Sequence, residues 1–342
     1  MKIAYIVPSL ANKGPIVVVR DLVKLMTKHG HECVVLYFDD IEEISMDCVC
    51  EKISFKNRDF SDFDIVHSHG LRPDVYVFLF KPRISKTKYI TTVHNYVYKD
   101  LYYQYNRLIS VIAGSFWMLA LKRHDRIITL SKDAMKYYLK IHPARVLSYA
   151  YNTCILNNVT LTTEEEFIVS EFKKGEKLIG INALLTDRKG VDQVVKALPK
   201  LPGCKLFIVG DGRSRTQLED LVEKLNLSDR VYFAGYIRDA RKFIPYYDVY
   251  AMPSRSEGMP ISLLEAVVLK KPVLLSNIPI FKELFKEGEV AYFDLENIDS
   301  LVNAIHKIEL NPKRYSDKAY NRYLRCYSPG SMYKHYLKIY ES

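Results

Sequence analysis

The sequence predicts an α/β protein made of two doubly wound units, each with a parallel sheet covered by helices on both faces. Two observations support this prediction: solid apolar segments alternate with amphipathic ones, and the alternation stops near 152–175 before it starts again. Strands that are apolar throughout are typical of parallel sheets, because both faces of such sheets are buried. The chain has 342 residues, which fits two domains of roughly 150 residues each.

Composition narrows the class of protein. Hydrophobic residues make up 48% and charged residues 26% of the chain, the balance of a soluble globular protein. The net charge of +10 favours an anionic partner such as a nucleotide, a phosphate or an anionic lipid. The start MKIAYIVPSL lacks the long apolar region of a signal peptide, and the cysteines include no CxxC pair. We therefore expect a cytoplasmic protein with reduced thiols.

The first half alternates strand and helix segments. An amphipathic helix, IVVVRDLVKLMTKHG, follows the first strand and ends at a glycine. Ser131 is the expected cap of a later helix, KDAMKYYLK. The predicted strands are KIAYIV, HECVVLYF, FDIVHSH, KYITTVHN and DRIITLS.

The polar segment 152–175 is expected to be irregular, and it marks a boundary between domains 1–157 and 158–325. The alternation then resumes. The predicted strands are KLIGINAL, CKLFIVG, RVYFAG, DVYAMP and PVLLS, and the predicted helices are GVDQVVKALPKL, SRTQLEDLVEKLNL, ARKFIPYY and SLLEAVVLK. Ligands of doubly wound folds bind beyond the carboxyl ends of the strands, and the motifs described next lie at such ends.

Two strand ends in the second half carry candidate phosphate sites. The strand LFIVG runs into GDG, which lacks the third glycine of a dinucleotide-binding fingerprint, so a tight strand-to-helix turn is favoured. The segment NALLTDRKG contains Arg188 and Lys189, a planar fork and a point charge that suit a pyrophosphate. A solvated basic turn is the alternative for these two cations.

The segment SRSEGMPISLLEAV, residues 254–267, places two acids around an expected helix start near Pro260. Glu257 precedes the helix and Glu265 lies inside it, so the two are not a close pair on one face. The first-turn amides would point to the strand ends, where they can bind phosphate oxygens. The alternative is structural: Ser262 and Glu265 have the spacing of a capping box, and Glu257 is then an ordinary loop acid.

Strand ends in the first half carry three histidines. His67 and His69 alternate on one strand, and His94 ends another. The HxH spacing permits a metal site, but no third ligand accompanies it at fixed spacing. Hydrogen bonding to neighbouring backbone, or contact with a substrate, is therefore favoured over metal binding.

An apolar run, 108–121, follows the tyrosine-rich segment 96–107 and precedes Lys122 and Arg123. The run is shorter than the roughly 20 residues that span a bilayer. Tyrosines and flanking cations are features of a membrane-surface segment, yet a buried helix is the favoured interpretation of the run. The tyrosine-rich segment is expected to be a loop that binds an acceptor.

Taken together, the two doubly wound domains, the Glu-x7-Glu spacing, the R-K-G turn and the TVHN strand end resemble glycosyltransferase family 4. The resemblance covers nearly the whole chain. It implies the GT-B fold, in which two Rossmann-like domains face each other across a cleft, with the acceptor on 1–157 and the nucleotide sugar on 158–325. The terminal segment YSPGSMYKHYLKIY resembles the final helix of that family, so 326–342 is expected to cross back and pack on the first domain.

The resemblance implies a retaining transfer of a hexose-type sugar from a nucleotide diphosphate sugar, with a UDP-sugar favoured. The acceptor would be a glycan or a lipid-linked acceptor in surface polysaccharide or glycolipid biosynthesis. The resemblance implies no cofactor, no metal and no nucleic-acid partner, and the basic surplus adds peripheral contact with an anionic membrane. The alternatives are a catalytically silent nucleotide-sugar-binding subunit of a glycosyltransferase complex and a GT-B sugar-nucleotide epimerase.

The resemblance also implies roles for individual residues. Glu257 would hold hydroxyls of the donor sugar, Lys189 and Arg188 would neutralise the leaving diphosphate, and His94 would contact the donor sugar. Glu265 would bind the ribose hydroxyls. The remaining donor contacts would come from Gly14, Tyr236, Met259, Ile261 and Ser262, and acceptor contacts from His69, Tyr102 and Tyr103.

Two positions depart from the family pattern. Lys13 and Gly14 stand where the family often has Gly-Gly, and Leu184 stands where it often has an arginine. Arg188 is therefore expected to replace the missing arginine.

Overall fold

The computed structural model describes residues 1–156 and 159–342. The chain divides into two compact units, Met1–Ile155 with Tyr327–Ser342, and Leu156–Cys326. The boundary that the sequence predicts between 157 and 158 lies outside the described residues. The second unit ends at Cys326, next to the predicted limit at 325.

Strands and helices alternate along the first unit. Its strands are β1 (Lys2–Leu10), β2 (Glu32–Glu42), β3 (Val49–Lys52), β4 (Ile65–His69), β5 (Lys88–Val93), β6 (Arg126–Thr129) and β7 (Leu147–Tyr149). Its helices are α1 (Gly14–Lys28), α2 (Leu71–Phe80), α3 (Val97–Gln104), α4 (Arg107–Leu121), α5 (Lys132–Tyr138) and, after the second unit, α13 (Pro329–Glu341). Within the described residues, the strands pair in parallel in the order β3-β2-β1-β4-β5-β6-β7.

The order of strands reverses between β1 and β4, so the carboxyl ends of these two strands mark the topological switch point of the first sheet. The segment Ile3–Val7 of β1 is fully buried, as its solid apolar pattern predicts. Helix α13 packs on α1. The hydroxyl of Tyr340 on α13 lies 3.3 Å from the hydroxyl of Tyr5 on β1. The backbone carbonyl of Tyr340 accepts a 2.9 Å hydrogen bond from Lys88 Nζ on β5.

The second unit repeats this plan. Its strands are β8 (Lys177–Asn182), β9 (Cys204–Val209), β10 (Val231–Phe233), β11 (Val249–Met252), β12 (Val273–Ser276) and β13 (Ala291–Phe293). Its helices are α6 (Thr163–Lys173), α7 (Val191–Ala197), α8 (Arg215–Lys224), α9 (Ile261–Val268), α10 (Pro279–Leu284), α11 (Ile298–Leu310) and α12 (Pro312–Cys326). In this part of the described chain the parallel order is β10-β9-β8-β11-β12-β13.

The switch point of the second sheet lies between β8 and β11, because β8 pairs with β9 on one side and with β11 on the other. The chain leaving β8 is therefore next to the chain leaving β11. One face of the sheet packs against α7, α8 and α11 through a large buried aliphatic cluster that includes Ile179, Leu206 and Ile305.

Three expectations about local structure are wrong. The segment expected to be irregular contains helix α6, which begins with a capping box between Thr162 and Glu165. Its only buried residue among those described is Val169, so it lacks the apolar periodicity that predicts a helix. The tyrosine-rich segment is not a loop, because α3 occupies most of it. The predicted helix ARKFIPYY is a 3₁₀ helix, Ala240–Tyr246, which contains Pro245.

The apolar run 108–121 is helical but not buried. Helix α4 covers it, with Ser110, Gly114, Met118 and Leu121 among its buried residues. Large apolar side chains on the opposite side of α4 are exposed, with Leu108 at 69% and Ile112 at 63%. The run is apolar on every side, so its composition does not indicate which side packs on the protein.

Candidate functional site

The basic turn after β8 is held against the chain that leaves β11. Residues Asp187–Lys189 form a 3₁₀ turn that ends at Gly190, whose φ is 63°. A Cβ atom at Gly190 would lie 2.2 Å from the carbonyl oxygen of Pro253. Glycine is therefore required here for both backbone conformation and space, and the close packing brings Arg188 and Lys189 to the loop that carries Glu257.

Glu257 lies at the centre of a compact group with Lys189, Arg188 and Ser254, which we call the carboxylate cluster. Lys189 Nζ lies 2.6 Å from Glu257 Oε1, and Arg188 Nη1 lies 3.2 Å from Oε2. Ser254 Oγ donates a 2.7 Å hydrogen bond to Oε1. Glu257 is 5% exposed, so water contributes little to its solvation and these three neighbours must satisfy it.

The carboxylate cluster keeps Glu257 ionised. Burial acts to raise the pKa of its carboxyl, but the charges of Lys189 and Arg188 outweigh burial and hold that pKa below its usual value. Two cations then face one carboxylate. The cluster carries a net positive charge, which suits an anionic ligand with hydroxyl groups nearby.

Arg255 braces the basic turn. Its backbone N–H donates a 2.7 Å hydrogen bond to the carbonyl of Arg188, and its guanidinium pairs with Asp192 at 3.1 Å and Glu296 at 2.7 Å. The sequence analysis missed both Ser254 and Arg255. Each lies inside the quoted segment 254–267, but nothing in the spacing indicates which partner a serine hydroxyl or a guanidinium selects.

The capping-box interpretation of Ser262 and Glu265 is wrong. Helix α9 begins at Ile261 with Pro260 as its N-cap and without a side-chain capping hydrogen bond. Ser262 is therefore inside the helix, where its hydroxyl hydrogen-bonds to Tyr250 of β11. Burial, and to a smaller extent the charge of Glu265, raise the pKa of Tyr250. Tyr250, Ser262 and Glu265 form a second polar group beside the carboxylate cluster.

The GDG segment is a tight strand-to-helix turn, as predicted. Gly210 and Gly212 have φ angles of 143° and 156°. A Cβ atom would lie 1.9 Å from the carbonyl oxygen of Ala183 at the first position and 2.4 Å from that of Leu185 at the second. Packing against the chain that leaves β8 accounts for both glycines.

Tyr236 and Met259, two predicted donor contacts of the second unit, lie in loops outside the carboxylate cluster. Tyr236 is 64% exposed and follows Gly235, whose carbonyl accepts a 2.8 Å hydrogen bond from the N–H of Gly210. Met259 is buried just before α9. The structure thus brings Glu257, Lys189 and Arg188 into direct contact, and it places Tyr236 beyond the end of β10.

The remaining predicted residues lie in the first unit. Gly14 begins α1, and a Cβ atom there would meet no described protein atom within 4 Å, so packing within the protein does not require glycine at this position. Tyr102 and Tyr103 lie on α3 with ring centroids 5.6 Å apart. Tyr102 is largely exposed.

His67, His69 and His94 form a histidine cluster at the ends of β4 and β5. His69 Nδ1 lies 3.0 Å from His94 Nε2. His67 contacts the Tyr340 hydroxyl at 2.7 Å and Thr92 Oγ1 at 2.8 Å. Nε2 of His124, a separate buried histidine after α4, lies 3.1 Å from Ser68 Oγ and 3.7 Å from Oδ1 of the buried Asp74. The hydrogen-bond partners of the clustered histidines are hydroxyls and a second imidazole, and not the expected backbone groups.

Burial keeps these histidines neutral. It lowers the pKa of His94 to about 4 and that of His124 to about 3, and it also lowers those of His67 and His69. Both ring nitrogens of His67 are engaged, which leaves neither for a metal. Across residues 1–156 and 159–342, no group of three or more His, Cys, Asp or Glu side chains has the arrangement of a metal site.

Matches to known proteins cover both units. Residues 51–152 match the family model described as Glycosyltransferase Family 4, and residues 162–325 match the model described as Glycosyl transferases group 1. The chain is similar to the O-antigen biosynthesis glycosyltransferase WclY of Escherichia coli, with 34% identity over 353 aligned residues, 100% of this chain and 98% of WclY.

Solved structures share the fold. Sucrose-phosphate synthase of Thermosynechococcus elongatus superposes with a TM-score of 0.81 at 15% identity, covering 100% of this chain and 98% of that one. Anabaena HepE, solved in complex with UDP, gives a TM-score of 0.80 at 15% identity over 100% of each chain. Two parallel doubly wound units and this likeness give the GT-B fold, and the family matches and the similarity to WclY identify a glycosyltransferase. The chain belongs to glycosyltransferase family 4.

Proposed function

We propose that the protein is a retaining glycosyltransferase that moves a hexose-type sugar from a UDP-sugar to a glycan or lipid-linked acceptor. The single observation that carries the proposal is the carboxylate cluster, in which Glu257 holds Lys189 at 2.6 Å at the carboxyl ends of β8 and β11. Such strand ends are where open α/β sheets bind ligands. The similarity to WclY, named for O-antigen biosynthesis, supports a role in surface polysaccharide synthesis.

The charged members of the cluster each have a task in this reaction. The bond between the sugar C1 and the diphosphate oxygen breaks, the acceptor hydroxyl oxygen bonds to C1, and the acceptor proton is released. Lys189 and Arg188 stabilise the negative charge that develops on the leaving diphosphate, which is usually a large catalytic contribution. An ammonium group has three N–H donors, so Lys189 can hold Glu257 and a phosphate oxygen together.

The other predicted contacts complete the donor site in this proposal. Glu257 accepts hydrogen bonds from sugar hydroxyls, and Glu265 accepts them from the ribose. Leu184 stands where the family often has an arginine. Arg188 takes the place of that arginine, because it reaches the same carboxylate as Lys189. Amides at the start of α9 bind phosphate oxygens, Tyr236 lies beside the base, and His94 and Gly14 serve the donor from the first unit.

The reaction proceeds without a metal, at the cytoplasmic face of a membrane. A chelator then leaves the rate of transfer unchanged, whereas loss of activity in EDTA that Mg²⁺ restores would contradict this part of the proposal.

Thermal unfolding in the presence of UDP, UMP, GDP and a panel of nucleotide sugars tests donor binding. A ligand at 100 times its Kd stabilises the folded state by about 2.7 kcal/mol. UDP and at least one UDP-sugar should raise the Tm, and UMP should raise it less. The proposal fails if no nucleoside diphosphate or nucleotide sugar shifts the Tm. Binding without release of UDP in the presence of membrane acceptors would instead indicate a silent donor-binding subunit.

A further inference from the structure

The outer side of helix α4 is an unusually apolar exposed surface. Six large apolar side chains of this 15-residue helix are between 38% and 69% exposed. Positions three and four apart lie on the same side of a helix, so these residues form one continuous stripe. We call this stripe the apolar face, and its members are Leu108, Ile109, Val111, Ile112, Phe116 and Leu119.

The inner side of α4 is fixed to the protein by polar as well as apolar contacts. Ser110 Oγ donates a 2.6 Å hydrogen bond to the carbonyl of Tyr98, and Trp117 Nε1 donates a 2.7 Å bond to the buried carboxylate of Asp74. A Cβ atom at Gly114 would lie 2.6 Å from the ring of Tyr98, so α4 packs closely on α3. A surface helix normally buries its apolar side and exposes a polar one. In α4 the inner side already packs in an apolar cluster through Met118 and Leu121, and the outer side is apolar as well.

Charge at the ends of α4 identifies the kind of partner. Arg107 is the first residue of the helix, Lys122 follows its last residue, and both are exposed. No acidic residue occurs between 101 and 124. A cation at the start of a helix opposes the helix dipole, so Arg107 is not explained by helix stability. Tyr102 and Tyr105, each 55% exposed, lie just before α4.

An apolar stripe between cations, with tyrosines beside it, is typical of a helix that lies in the plane of an anionic membrane surface. Helix α4 is about 22 Å long at 1.5 Å per residue, shorter than the roughly 30 Å of a bilayer core. Among the described residues no helix has the length and apolar character needed to cross a membrane. The dimensions and charges thus fit a helix lying on the membrane and not across it.

We propose that the apolar face of α4, with Arg107 and Lys122, docks the protein on an anionic lipid surface. The inference rests on the proposed function only for its purpose, because docking would bring the enzyme to a lipid-linked acceptor. A second copy of this chain fits the surface less well. Pairing two apolar faces would bring the basic ends of two α4 helices together with no acid on either helix to offset them.

Co-sedimentation with vesicles tests the docking surface. The vesicles are pure phosphatidylcholine, or phosphatidylcholine with 30 mol% phosphatidylglycerol as the anionic probe, at low and high salt. The wild-type protein should bind the anionic vesicles at least tenfold more tightly than the neutral ones, and high salt should weaken binding. An absence of binding to anionic vesicles overturns the inference.

Paired variants locate the surface. Ile112→Ser with Phe116→Ser should reduce vesicle binding at least tenfold, and Arg107→Gln with Lys122→Gln should remove the preference for anionic lipid. The matched controls are Phe167→Ser with Leu310→Ser, which are exposed apolar residues of the second unit, and Lys286→Gln with Lys313→Gln, which are exposed cations there. Equal loss in a variant and its control overturns the assignment to α4.

Two further measurements separate this inference from its rivals. Sedimentation equilibrium reports self-association. If Ile112→Ser with Phe116→Ser dissociates a dimer and leaves vesicle binding unchanged, the apolar face joins two copies of the chain and the inference is overturned. The Tm shift with UDP should be the same in the α4 variants and the wild type. A protein that binds vesicles but shows no UDP shift would contradict the proposed function and leave the docking surface supported.

Discussion

The carboxylate cluster of the second unit and the histidine cluster of the first unit solve the same physical problem in opposite ways. Each buries titratable groups at the strand ends of a parallel sheet, and in each the pKa values are lowered. A lowered pKa keeps Glu257 charged, because Lys189 and Arg188 offset its burial. The same direction of shift keeps the histidines neutral, because burial is the largest effect on each of them and no opposite charge outweighs it.

The difference indicates what each cluster is built to do. A buried carboxylate held between two cations is ready to interact with charge and hydroxyl groups. A set of neutral imidazoles bonded to hydroxyls mainly orders the polypeptide around it, here β4, β5 and α13 through Tyr340. His94 is the exception, since it is partly exposed at the edge of its cluster and is held by His69.

The largest expected effect comes from Glu257→Gln, which removes the charge of the carboxylate cluster and keeps its shape. The rate of transfer should fall by about 10³-fold, the upper range for loss of one transition-state contact. The affinity for UDP itself should be unchanged or higher, because the competing carboxylate charge next to Lys189 and Arg188 is gone. Steady-state kinetics and calorimetric UDP titration measure the two quantities.

Glu171→Gln is the matched control, because Glu171 is an exposed acid of the same unit that pairs with Lys174 at the end of α6, away from the carboxylate cluster. It should keep nearly full activity. A loss of UDP binding in Glu257→Gln equal to its loss of activity would show that the carboxylate serves folding and not transfer.

Replacing Lys189 of the same cluster should affect UDP affinity differently from replacing Glu257. Lys189→Met removes the ammonium that faces Glu257, so both turnover and UDP affinity should fall, turnover by about 10²-fold. Lys200→Met removes an exposed lysine paired with Asp299 and should change neither. If Lys189→Met binds UDP as well as the wild type, the diphosphate does not lie at the carboxylate cluster.

Glu257 and Lys189 also indicate how much of the site is predictable from the sequence. The alternation of apolar segments is sufficient for the parallel sheets, and strand-end placement with the R-K-G turn is sufficient to bring Lys189 near Glu257. The roles of Ser254 and Ser262 are not predictable in this way, because a hydroxyl bonds whichever group packing brings within 3 Å. Pro260 occupies the N-cap, so the capping box that the letters spell does not form.

The apolar run 108–121 illustrates a different limit. Composition identifies it as a helix, but its buried side is selected by small residues such as Gly114 and by the Trp117–Asp74 hydrogen bond. Neither signal is visible in hydropathy. The sequence does not predict helix α6, because few of its residues contact the core and it therefore lacks an apolar period. Its capping box is its main signature.

The pH dependence of stability tests whether the buried histidines, His124 among them, stay neutral. Folded histidines with lowered pKa values stay neutral below pH 6.5, where unfolded ones take up protons, so the free energy of unfolding falls as pH drops from 6.5 toward about 4. Each such histidine contributes up to about 1.4 kcal/mol per pH unit. Asp74, whose pKa burial raises to about 6, opposes this slope. Glu257 contributes only below its ordinary value of 4.5.

Urea unfolding of His124→Asn at pH 7, 6 and 5 measures the contribution of one histidine. The loss of stability per pH unit should be smaller in His124→Asn than in the wild type by up to about 1.4 kcal/mol. His306→Asn, which alters a histidine exposed on α11, should leave the slope unchanged. Identical slopes in all three proteins would mean that the buried histidines do not resist protonation, and the contrast with Glu257 would then be lost.

The smallest effect is expected at Glu265, which separates the two acids of the segment 254–267. The Glu265 side chain lies near Tyr250 and makes no N-terminal capping hydrogen bond on α9, so Glu265→Gln should leave the Tm almost unchanged. UDP affinity should fall about tenfold, equal to about 1.4 kcal/mol, because a neutral amide accepts hydrogen bonds from ribose hydroxyls less strongly than a carboxylate. Turnover at saturating donor should stay within a few-fold of wild type. Glu257→Gln should show the reverse pattern, with turnover lost and UDP affinity kept. If both variants lose turnover and affinity together, the acids act as one unit, and the division into a sugar end and a ribose end is wrong.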